Sequence, residues 1–72
     1  MLVALVNAGK PTGETFTATA NHNLRAEPNT GARVKLVIPS GATVKALTGV
    51  ANGWREVSYG GTSGWAATSY LN

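Results

Sequence analysis

From residue 14 onward, short β-prone stretches alternate with turn-forming residues at intervals of about 8–12 positions, the spacing of a small barrel or sandwich. Thr15 to Ala20 alternates hydroxyl and apolar side chains, the period of a half-buried strand. Asn21 to Gly31 is rich in Asn, Pro and Gly and predicts a long excursion, with Leu24 as its anchor in the core. Val34, Leu36 and Ile38 share one face of the next strand, with Arg33 and Lys35 on the other, and Pro39-Ser40-Gly41 turns the chain. Thr43 to Leu47 follows as a strand, ended by the stretch Gly49 to Gly53. Trp54 to Tyr59 predicts another, and Gly60-Gly61 is a two-residue hairpin turn that tolerates positive φ at both positions. Thr62 to Ala66 then returns antiparallel, and Ala67 to Leu71 suits one 3₁₀ turn and a closing strand. No stretch carries a helical period. The expectation is an all-β fold, about five strands and one long loop in a small, strongly bent barrel.

The start of the chain breaks this pattern. Met1 to Val6 is an uninterrupted apolar run of six residues, far short of the ~20 that cross a bilayer. Nothing basic precedes it, as a secretory signal would require, so the signal of an exported protein would lie outside this chain. The run reads as an extra strand or arm, or as an edge that pairs with a partner. Asn7 to Gly13, with two glycines and Pro11, reads as a linker. The expected division is therefore 1–13, arm or extra strand and linker, and 14–72, the folded domain.

Composition narrows what such a domain can do. Of 72 residues 43% are hydrophobic, but 11 of those are alanines, leaving 20 larger apolar side chains for a core. So thin a core leaves little room for a scaffold with a deep catalytic pocket. Six Lys and Arg oppose three Glu, for a net charge of +3, and the cations are scattered rather than blocked. No run of positive charge tracks a nucleic acid or an anionic membrane, so neither nucleic acid nor membrane insertion is expected. Charged residues are only 12% of the chain, against ~25% in an average soluble protein. The surface is instead built from Thr, Ser, Asn and Gly. The absence of cysteine is compatible with either redox compartment.

Asn23-Leu24-Arg25, Pro28, Val34, Ile38, Gly41, Val44, Asn52-Gly53-Trp54, Val57, Gly61, Gly64-Trp65 and Ser69-Tyr70-Leu71 resemble, in order and spacing, the pattern of bacterial SH3-type domains. The resemblance covers roughly residues 15–71. It implies a five-stranded SH3-like barrel, found as a targeting module beside cell-wall amidases and NlpC-type peptidases and thought to bind peptidoglycan or its peptide. It also implies an extracytoplasmic location. The family's usual Leu-Asn-Val-Arg-Ser-Gly-Pro reads His22-Asn23-Leu24-Arg25-Ala26-Glu27-Pro28 here. The closing element is similar to that of eukaryotic SH3 domains, but Ala67 stands where those have proline, which argues against polyproline ligands. Trp54 and Tyr70 align with aromatic groove residues of that wider family.

With only five aromatic residues, their division between core and surface determines what the domain can bind. In a strand starting at Trp54, Val57 points to the opposite face and is the natural core residue. Trp54 then stands outside the core, and with Asn52 and Tyr70 it would offer a flat apolar floor with polar edges for a peptide or sugar ring. The alternative is that Trp54 and Tyr70 cap the end of the barrel. Trp65, next to Gly64, is a ligand contact or a cover for the hairpin. Tyr59 and Phe16 read as packing residues. Arg25 either holds loop carbonyls or receives a ligand carboxylate with its five fixed donors. His22 has no Cys, Asp or second His in company and reads as a loop-surface residue rather than a metal ligand or catalyst. Gly60 to Gly64 lacks the ending of a phosphate loop, the three glutamates are widely separated, and no serine has a base partner. No catalysis, cofactor or metal is expected. The leading expectation is a non-catalytic module that binds the peptide of peptidoglycan through Trp54, Tyr70, Trp65, Asn52 and Arg25. The competing one is a protein interaction module, self-associating through Met1 to Val6.

Overall fold

The computed structural model describes residues 9–72. Six strands, β1 (Pro11–Thr17), β2 (His22–Arg25), β3 (Val34–Ile38), β4 (Thr43–Ala51), β5 (Trp54–Tyr59) and β6 (Thr62–Ala67), precede a single 3₁₀ turn at Thr68–Tyr70. They form one antiparallel sheet in the order β1-β4-β5-β6-β2-β3. The two hairpins around β5 are set by glycine. Gly60 and Gly61 both have positive φ, +59° and +87°, and hold Tyr59 opposite Thr62. Asn52-Gly53 turns β4 into β5, with Gly53 at φ +80° and Ala51 opposite Trp54.

The sheet curls around a core of Ala18, Leu24, Ile38, Val44, Val57 and Ala66, against which Phe16, Leu36, Ala42, Tyr59 and Leu71 pack. It is not closed edge to edge, since β1 and β3 remain its outer strands. The C-terminal residues stitch the open side instead: Ala18 bridges Leu71, and Thr17 and Asn72 exchange backbone N–H···O bonds at 3.0 Å in both directions. Arg55 closes one end of the core. Its guanidinium lies 5.6 Å from the Phe16 ring centre, Nε donates to Leu47 O at 2.9 Å, and Nη2 pairs with Glu14 at 3.3 Å.

The small all-β fold stands, and three details within it differ. The Asn21 to Gly31 excursion begins with a strand, β2, rather than being loop throughout; β2 pairs with β3 along its length and with β6 at Arg25 opposite Trp65. Leu24, fully buried, pins that segment to the core. His22 is not on a loop surface: it is only 7% exposed, since it shares the inward face of β2 with Leu24, two residues on. Pro11 to Gly13 is strand rather than linker, with Pro11 opposite Leu47, Lys10 O accepting from Thr48 N at 3.0 Å, and Thr12 Oγ1 donating to Ala46 O at 3.0 Å. Met1 to Val6 lies outside the described residues.

Candidate functional site

Trp54 opens β5 opposite Ala67, the last residue of β6, so the 3₁₀ turn that follows Ala67 places Tyr70 on the same end of the sheet. Two backbone bonds fix that turn: Thr68 N donates to Gly53 O at 3.0 Å, and Thr19 N donates to Tyr70 O at 2.8 Å. Val57 is fully buried while Trp54 is half-buried, as odd spacing along a strand dictates. Tyr70 is 41% exposed and stacks on His22, with ring centres 5.2 Å apart and planes at 25°.

These side chains line a groove of about 440 Å³ together with Arg25, Val37, Ser69 and the asparagines flanking His22. Val37 presents 55% of its surface at the groove's β3 side. Trp54 also lines a second hollow of about 630 Å³, formed with Phe16, Val50, Asn52, Arg55 and Leu71. The indole therefore borders both recesses.

Known proteins match this chain in two ways. The pattern of the bacterial SH3 domain matches residues 17–72. The chain belongs to the bacterial SH3 domain family. The fold agrees: NlpC1 from Trichomonas vaginalis superposes on 81% of this chain with a TM-score of 0.76 at 19% identity. The matched part is 21% of that protein's chain, so the present chain spans about a fifth of it. No curated protein matches by sequence. This bacterial SH3 domain is thus an SH3-like all-β module of a binding-domain family.

Of the residues expected to bind, the SH3 fold brings three together in the groove: Trp54, Tyr70 and Arg25. Asn52 lines the second hollow instead, on the other side of the indole. Trp65 lines neither recess. It stands opposite Glu56 and Arg25 across the strands, and its ring edge crosses Gly49, where an added Cβ would lie 2.7 Å from Cη2. Arg25 holds the 26–33 loop, with Nη1 donating to Ala32 O at 3.0 Å, and still lines the groove.

His22 is the groove residue that a reading of the sequence misses. Its Nδ1 lies 2.9 Å from Ala20 O, an acceptor, so Nδ1 carries the proton in the neutral ring and Nε2 is left as an acceptor. Nε2 is buried and has no hydrogen-bond partner. The alternation around Leu24 was the available clue, because an inward Leu24 makes His22 inward too. Among the described residues, no three His, Cys, Asp or Glu come together as a metal site.

Proposed function

We propose that this domain is a non-catalytic targeting module of an envelope protein or wall hydrolase, which holds the peptide portion of peptidoglycan outside the cytoplasm. The observation that carries this reading is the pairing of Trp54 and Tyr70 across one groove at the end of the sheet, both partly open to solvent. Flat rings with polar neighbours suit an extended stretch of peptide: apolar faces cover its side chains while Asn21, Asn23 and Ser69 meet its amides. A shallow groove of this size gives weak affinity on its own, and attachment to further wall-binding parts raises it through effective concentration. The family to which the chain belongs, and the SH3 fold it shares with NlpC1, are what such a role requires. The test is retention on purified cell-wall sacculi. Trp54→Ala should reduce the bound fraction severalfold while circular dichroism and melting stay close to wild type, because the indole is outside the central core. Undiminished retention by a folded Trp54→Ala protein would contradict the reading.

A second reading rests on β3. It is an outer strand, and Val34 and Val37 are exposed along it, which is the kind of edge that accepts another strand. Protein–protein pairing there, including self-association through Met1 to Val6, predicts a mass above 7.4 kDa in light scattering of the full chain. The mass should fall to that of a monomer when residues 1–8 are removed.

A further inference from the structure

The groove is basic and contains no acid of its own. Arg25 and His22 line it, and no carboxylate does. All three glutamates are placed elsewhere. Glu14 pairs with Arg55, Glu56 Oε1 accepts the backbone N–H groups of Gly9 and Gly49 at 2.6 and 3.2 Å, and Glu27 is exposed outside the lining. Arg25 commits Nη1 to Ala32 O, one of five N–H donors in a planar fork shaped for a carboxylate. The same lining holds the buried His22, whose Nε2 has no hydrogen-bond partner.

We infer that this groove recognises a carboxylate-bearing peptide, with the carboxylate paired to Arg25 in a lining that holds no acid of its own. The inference rests on the peptide-binding reading above and adds the chemical class of the ligand. Nη1 of Arg25 is held by Ala32 O, and no internal acid competes for its remaining donors. β2 brings Arg25 near His22, the 3₁₀ turn brings Tyr70, and β3 carries Lys35, whose Nζ is drawn away to Ser63 O at 2.7 Å. On β5, Arg55 and Glu56 are engaged with Glu14, Leu47, Gly9 and Gly49. The ligand carboxylate itself stays ionised above about pH 4.5.

The experiment is an NMR titration of the full chain with acetyl-D-alanyl-D-alanine and with its C-terminal amide, following the Trp54 indole N–H and the amides of Asn23, Ala67 and Ser69. The acid should bind about tenfold more tightly than the amide. It should lose its advantage as salt is raised. Arg25→Met should bring the acid down to the level of the amide. Arg25→Lys, which keeps a charge, should retain part of the preference, distinguishing loss of the ion pair from a loosened loop. Equal binding of acid and amide overturns the inference and leaves the groove reading standing. No perturbation by either peptide, in a protein whose sacculus retention still depends on Trp54, also overturns it. If Trp54→Ala retention is unchanged as well, both fall.

Discussion

Gly64 has no freedom to carry a side chain. A Cβ at that position would sit 2.7 Å from the backbone oxygen of Arg25 and 2.9 Å from Leu24 Cγ, because β6 crosses β2 there at close range. Backbone cannot move aside without parting the two strands that hold Leu24 in the core and Arg25 at the groove. Gly64→Ala should therefore cost about 1–3 kcal/mol, seen as a melting temperature lower by about 5–20 °C. Gly49 is equally crowded, with Glu56 and Trp65 atoms at 2.6–2.8 Å; the Glu56 carboxylate can swing away, but Glu56 Cβ, at 2.8 Å, moves only with β5. Gly49→Ala should therefore destabilise too, and should in addition alter Trp65 fluorescence. If Gly64→Ala melts with the wild type, the close strand crossing is not what keeps glycine at 64. Both glycines stand in the sequence without any mark of which partner they approach, since such contacts come from strands far apart in the chain.

Among the elements, the β5–β6 hairpin was the most legible. Trp54 outward, Val57 inward and Gly60-Gly61 at the turn are local facts that a period of two and positive φ express directly. Gly61 has φ +87° and open space around it, so Gly61→Ala tests conformation alone. It should destabilise by about 1–2 kcal/mol, with Gly61→Asn costing less because asparagine tolerates the left-handed region better; equal melting of all three proteins would contradict this. β2 was not legible. Its four residues lie in a run of Asn, Glu and Pro whose composition predicts loop, and only its pairing with β3 and the burial of Leu24 make it strand. The same tertiary pairing turns His22 inward and adds it to the groove. Trp54 and Tyr70 meet through the register of Trp54 on Ala67, which a sequence pattern expresses only through resemblance to a family.

At the scale of the whole molecule, a thin core makes the ends of the chain matter. The family pattern begins at residue 17 and composition placed the boundary at Glu14, yet the sheet begins at Pro11. The segment from Gly9 to Gly13 is tied to β4 and β5 by the Gly9–Glu56, Thr48–Lys10 and Thr12–Ala46 hydrogen bonds, and Pro11 lies opposite the buried Leu47. Each such bond is worth about 0.5–1.5 kcal/mol net, set against about 1–2 kcal/mol of backbone entropy for each residue ordered. The hydrogen bonds alone therefore do not decide the balance, and the strand pairing of Pro11 with the buried Leu47 tips it. A chain beginning at Glu14 should melt several degrees lower than one beginning at Gly9, about 4–8 °C for each kcal/mol lost, with the amides of Leu47 and Thr48 exchanging faster. Its retention on sacculi should be unchanged, because the groove of Trp54 and Tyr70 is built from β2, β3, β5, β6 and the 3₁₀ turn, without β1. Equal melting of the two shortened chains would mean that the first turn of β1 is dispensable, and that the folded unit begins where the composition placed it.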